Sequence, residues 1–174
     1  AELLMAMEDA VLDGADIVNN SWGGGPDSLG GEFDAVDSGL INLAKAGVFV
    51  TMSTGNGGPG TGTADHPSPD YINVAAGFGT LAGDEFTGFI SEFSSRGPGV
   101  GDVLKPDIAA PGDQIYAQGY GGVGEEKHLG YGAVSGTSMA APHVSGAVAL
   151  LKQIHPDWSN PTIKSALMST AQFT

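Results

Sequence analysis

At 174 residues the chain is one domain's worth, and its 41% hydrophobic against 15% charged content is that of an ordered globular protein with a sizeable core. Twenty acidic residues against six basic ones leave a formal charge of −14, which argues against a nucleic-acid partner and suits a secreted or salt-adapted protein. No apolar run reaches the roughly 18 residues of a membrane span, and the absence of cysteine excludes disulfides and thiolate chemistry.

In "AELLMAMEDAVLDGA" the apolar positions 3, 4, 7, 11 and 12 follow a helical period that Gly14 is placed to stop. "DIVNNSW" follows as a short strand and "GGGPDSLGG" as a loop. "EFDAVDSGLINLAKAG" predicts a second helix ending at Gly47, and "VFVTMST" an apolar strand running into "GNGGPGTG". "YINVAAGF" is a further strand of that kind. Helix, strand, helix, strand, with the strands apolar at successive positions, predicts an α/β protein with a doubly wound parallel sheet. After residue 79 the pattern loosens into short strands and turns at "FISEFSSRG", "KPDIAAPG" and "QIYAQ". It recovers in a long helix after Ser138 and a short amphipathic one, "NPTIKSALMSTA", with Pro161 in its first turn. The 29 glycines show no period, so they mark turns rather than a repeat, and residues 1–174 read as a single domain.

The long helix is apolar nearly all round (Met139, Ala140, Ala141, Val144, Ala147, Val148, Leu150, Leu151, Ile154), which predicts burial in the centre of the domain. Pro142 has no N–H to return to residue 138 and is tolerated in a first turn, so the helix begins at about Ser138. A serine there stands where the helix dipole and free N–H groups favour a developing negative charge. It also stands where serine is an ordinary cap.

Two other stretches offer partners. Asn56, in Gly55-Asn56-Gly57, brings a side-chain amide to the C-terminal edge of the sheet, where open α/β folds bind ligands; equally, asparagine is a common left-handed turn residue. "NNSWGG" offers unpaired backbone groups to an extended peptide, with Gly23 and Gly24 leaving room for its approach, or it is simply a strand end and loop.

Together these stretches resemble the subtilisin-like serine proteases. "SGTSMAAPHVSGAVALL" is similar to that family's active-site serine segment, "STGNGG" to its oxyanion-asparagine segment and "NNSWGG" to its substrate-pairing strand. "FSSRGP", "LKPDIAAPG" and "HPDWSNPTIKSALMSTA" continue the likeness in order over essentially the whole chain. The resemblance implies a serine endopeptidase in which Ser138 is the nucleophile and its own N–H and the Asn56 amide hold the oxyanion. Ser21, Trp22, Gly23 and Gly55 would line the peptide cleft. "ADHP" looks like the wall of the primary pocket, where Asp65 would favour a basic residue before the scissile bond.

The family's triad runs Asp, His, Ser in chain order, and neither its aspartate nor its histidine segment is present. His143, five residues beyond Ser138, is rotated by about 140° and displaced by about 7.5 Å on a helix, so it is no substitute. His66, His128 and His155 have no matching context. The expectation is therefore a truncated subtilisin-like domain, the C-terminal two-thirds of a catalytic unit, inactive alone. It would be prone to associate with the missing N-terminal segment or with itself through an opened edge at "DIVNN". The chain opens without an initiator Met or a leader, so Ala1 reads as a cut.

The rival class is a non-catalytic peptide-binding or scaffolding domain that keeps the fold, which the upstream sequence would distinguish. "GPGTG" has no lysine of a phosphate loop, and "GTSMA" lacks the second glycine of the hydrolase elbow. The expected partners are a peptide or protein substrate, with no nucleic acid and no membrane, in a secreted setting. No cofactor is needed for the chemistry. Charge and family resemblance are compatible with a structural calcium, although no Asp-rich loop of the EF-hand kind exists, and Asp84, Glu85, Glu125 and Glu126 read as solvated loop charges.

Overall fold

Helix α1 (Glu2–Leu12), strand β1 (Ile17–Asn20), helix α2 (Ala35–Lys45) and strand β2 (Phe49–Ser53) form in the order that periodicity predicts. They belong to a computed structural model that describes residues 2–24, 34–66, 68–82, 85–121 and 128–172. Each helix is punctuated locally. Gly14 and Gly47 take the left-handed φ values of 74° and 96° that let the chain turn into the next strand. The Asp34 carboxylate accepts the Val36 and Asp37 N–H groups and so caps α2.

β1 pairs in parallel with β2 from Ile17 opposite Phe49 to Asn20 opposite Met52. β2 pairs in parallel with β3 (Ile72–Ala82), and β5 (Ile108–Pro111) joins the other side of β3, again parallel. Successive β2 residues face opposite layers. Phe49, with Ile72 and Val74, meets helices α3 (Thr137–Ile154) and α4 (Asn160–Thr170), whereas Val50 and Met52 join Leu40, Leu43 and Tyr71 on the α1–α2 side. All five β2 residues are buried, as expected for a strand covered on both faces. Close approach is built in where α1 crosses α2, because a Cβ on Gly39 would lie 2.7 Å from Met7 Sδ.

Several elements differ from the sequence expectation, each for a local reason. β1 buries only Asn20, because among the described residues it has β2 as neighbour on one side and nothing on the other. β3 continues past residue 78 to Ala82 and pairs antiparallel with β4 (Glu85–Ile90), so the parallel core carries an antiparallel extension. "FISEFSSRG" is strand only at Phe89 and Ile90 before it turns. Glu85, expected in a loop, lies in β4. "QIYAQ" enters β6 (Ile115–Gly121) after its first residue, Gln114, and β6 pairs antiparallel with an unforeseen β7 (His128–Val134). Gly130 and Gly132 break the side-chain alternation that would have announced β7. Residues 25–31 of the expected loop, Asp84, Glu125 and Glu126 lie outside the described residues.

The largest correction concerns α3, which is not buried all round. Its stripe Ala140, Ala141, Val144 and Val148 packs on the sheet, but Leu150 is 62% and Ile154 67% exposed. A sheet covers one side of a helix, and no described element lies over the other. The helix also starts at Thr137, one residue earlier than expected, which puts Pro142 beyond the first turn.

Candidate active site

Pro142 explains how Ser138 is held. A proline at 142 cannot donate to the carbonyl of residue 138, and that carbonyl instead accepts the Ser21 hydroxyl at 2.9 Å. In return, Ser138 Oγ donates to the Ser21 carbonyl at 3.1 Å. This reciprocal pair ties the end of β1 to the start of α3 across 117 positions of sequence. The cap of α3 is Gly136, and Ser138 is the second helical residue, so the ordinary capping reading of this serine does not hold. Its hydroxyl stands in the first turn with no structural bond to its own helix end.

Asn56 is fixed by the same helix start. Its Oδ1 accepts both the Thr137 N–H, at 2.9 Å, and the Thr137 hydroxyl, at 3.0 Å. Thr137 Oγ1 in turn accepts the Gly55 N–H at 3.2 Å. Two donors on the amide oxygen set the orientation of the amide, leaving Nδ2 directed away from Thr137 and 3.6 Å from where a Cβ on Gly136 would lie. The left-handed residue of this turn is Gly55, at φ 100°, and not Asn56. The turn-residue alternative for Asn56 is thereby removed.

Trp22, Gly23, Gly55, Asn56, Asp65 and Ser138 line one cleft of about 310 Å³, at the low end of ligand pockets. Ser21 is joined to it through Ser138. The structure thus brings together every site residue that the sequence singled out. Asp65 has the most constrained place. A Cβ on Gly23 would lie 2.5 Å from its Oδ2, and one on Gly55 would lie 2.9 Å from the same oxygen. The carboxylate occupies a slot that exists because both walls are glycine.

Sequence reasoning missed Thr137, whose hydroxyl orients Asn56, and Ser95, whose hydroxyl accepts the Gly57 N–H at 2.9 Å. Both act through partners distant in sequence, so no local pattern marks them. It also passed over His66. That histidine is buried, its Nδ1 lies 2.5 Å from Asp37 Oδ1, and Trp22 meets it edge-on with ring centroids 5.2 Å apart. His143 Nδ1 pairs with Met139 O, and His155 stacks on Trp158. Neither is bonded to Ser138. Among the described residues no group of three or more His, Asp or Glu side chains is gathered as a metal site, and no helix is long and apolar enough to cross a membrane.

A serine at a helix start, an oriented amide beside it and a lined cleft are the parts of an acyl-transfer site, on a sheet of the doubly wound class. The sequence profile of the subtilase family matches residues 1–174, and the chain belongs to that family. It is 44% identical over 104 residues to the Arabidopsis thaliana subtilisin-like protease SBT1.7, covering 55% of this chain and 14% of that protein. It is 51% identical over 90 residues to SBT5.5 of the same plant, covering 47% and 11%. Among solved structures, Sphericase superposes with a TM-score of 0.74 at 28% identity, covering 97% of this chain and 53% of that one. The prenylagaramide maturation protease PagA superposes at 0.70 with 30% identity, covering 98% and 57%. The chain therefore spans about one seventh of the first plant relative and about half of each solved protease.

Proposed function

We propose that this chain supplies the nucleophile, the oxyanion site and one wall of the substrate cleft of a serine endopeptidase that works outside the cell. Ser138 Oγ exchanges its bond to the Ser21 carbonyl for attack on the scissile carbonyl carbon. Its proton passes to a base carried outside these 174 residues. The carbonyl oxygen, now negative, is met by the Asn56 Nδ2 and the Ser138 N–H. Collapse of the tetrahedral adduct releases the amine, which takes up the proton, and water then hydrolyses the ester. An extended substrate lies along Ser21, Trp22 and Gly23, and its side chain before the scissile bond enters the cleft up to the slot that the Asp65 carboxylate fills between Gly23 and Gly55. The Asp65 carboxylate at that slot favours Lys or Arg there. The chemistry calls for no cofactor, and any structural calcium lies outside the site.

The observation that carries this reading is the double hydrogen bond from Thr137 to Asn56 Oδ1, which leaves the amide N–H group as the donor beside Ser138. The test is acid-quench mass spectrometry of an active protein carrying this chain, with peptides of Arg, Lys, Leu or Gly before the scissile bond. An acyl adduct on Ser138 that forms fastest with Arg and Lys is expected. Turnover without an adduct on Ser138 overturns the mechanism, and equal rates for Arg and Leu overturn the role of Asp65.

A further inference from the structure

The slot stands on a buried pair that none of the chemistry above uses. Asp37 is fully buried in the first turn of α2, and its Oδ1 is 2.5 Å from His66 Nδ1. A carboxylate removed from water needs such a donor. The other imidazole nitrogen, Nε2, is buried with no hydrogen-bond partner among the described residues and points at the cleft wall, 3.5 Å from where a Cβ on Gly23 would lie. The adjacent Trp22 ring packs edge-on against the same imidazole.

The imidazole is not what holds its own loop. The Asp65 N–H donates to Thr54 O at 2.9 Å, and the Asp65 carbonyl accepts Asn73 Nδ2 at 2.9 Å. The His66 carbonyl accepts the Tyr71 hydroxyl at 2.8 Å and Asn73 Nδ2 at 3.4 Å. These four bonds pin the backbone of 65–66, including the left-handed φ of 52° at His66, a conformation that histidine shares with the smaller Asn and Asp. What the ring touches is α2 on one side and the Trp22–Gly23 wall on the other.

We propose that His66, clamped by Asp37, is a positioning residue for substrate selectivity. It fixes the Trp22–Gly23 wall that Asp65 lies against, so that the width of the cleft at Asp65 is set from α2, outside the cleft. This inference rests on the endopeptidase reading. A side chain that fills the cleft feels the wall, and glycine at that substrate position does not.

The test is His66→Asn in an active protein carrying this chain. Asparagine tolerates the left-handed backbone and removes the ring; because this also takes the imidazole from the buried Asp37 carboxylate, the double variant His66→Asn, Asp37→Asn, which leaves no buried charge there, is measured beside it. With the Arg, Lys, Leu and Gly peptides, KM is expected to rise roughly tenfold for the three cleft-filling residues and to change less than about twofold for Gly, with kcat unaltered. Asp37→Asn shifts the same ratios in the same direction. The peptides are also titrated against tryptophan emission, so the ranking is read with or without turnover. Equal losses for all four peptides, or unchanged ratios, overturn the proposal. If the unmodified protein treats Arg and Leu alike, the acidic-slot reading fails by itself, and the Leu-to-Gly ratio still decides the role of His66.

Discussion

The two faces of α3 are built on different terms. The inner stripe and the N-terminal turn are fully engaged: Ala140, Ala141, Val144 and Val148 on the sheet, Thr137 on Asn56, and Ser138 on Ser21. The outer face carries Leu150 and Ile154 into solvent, and α1 similarly exposes Met5 and Leu12, at 62% and 76%. The cleft is assembled from contacts internal to this chain, whereas among the described residues the outer helical faces are apolar surfaces and β1 has a strand on one side only.

The sharpest contrast in stability should come from truncating one residue on each side. Ile163→Ala, in the cluster that receives the inner face of α3, is expected to destabilise by about 2–5 kcal/mol, and Leu150→Ala by no more than about 0.5 kcal/mol. Urea unfolding of the two variants checks this, and equal losses would erase the distinction between the faces. At the cleft, Asn56→Ala in an active protein should lower kcat by about 10²–10³ and leave KM nearly unchanged. The same loss in subtilisin corresponds to about 2.7–4 kcal/mol. A pure KM effect in steady-state kinetics would return Asn56 to ground-state binding.

For the uncovered side, the 174-residue chain alone should sediment as a dimer or larger at micromolar concentration, since among the described residues β1 pairs on one side only, beside Ile17 and Val18. Ile154→Glu should shift it toward monomer, and a compact monomer before substitution would show that these surfaces need no cover. The same isolated chain should not turn over peptide, because Ser138 donates to a carbonyl rather than to a base.

The smallest effect concerns a buried cation that lines neither region. Lys105 donates to Tyr71 O and Asp107 Oδ2, and burial lowers its pKa to about 8 despite the Asp107 partner. The unfolded chain holds this proton to about 10.4, so between about pH 8 and pH 10 the unfolded state binds more protons and this group makes stability rise with pH. Above that range burial and the nearby Asp37 keep Tyr71 protonated in the fold, which acts in the opposite sense. Lys105→Met should flatten the rise in melting temperature across pH 8–10, measured by circular dichroism.

Much of this molecule is legible along the chain. Gly14 and Gly47 stop helices that periodicity had already drawn, and "VFVTMST", though it includes Thr51, Ser53 and Thr54, is buried at every position because both its faces are covered. Ser138 and Asn56 stand out because residue type and neighbours suffice to suggest a role, whereas Asp65 stands out only through the family resemblance of "ADHP". β7 was hidden because two glycines remove its alternation, and the β3 extension because its antiparallel partner is needed to define it.

What the sequence determined by itself was therefore local: where helices and strands start, which residues carry reactive or polar groups, and the family's order of motifs. Tertiary structure alone decided that Pro142 frees a carbonyl for Ser21, that Thr137 orients the Asn56 amide, and that Asp65 lies between Gly23 and Gly55. It alone decided that one face of α3 remains in water. Hydrogen bonds and burial depend on distance in space, and here the partners stand 81 and 117 positions apart, beyond the reach of any periodicity.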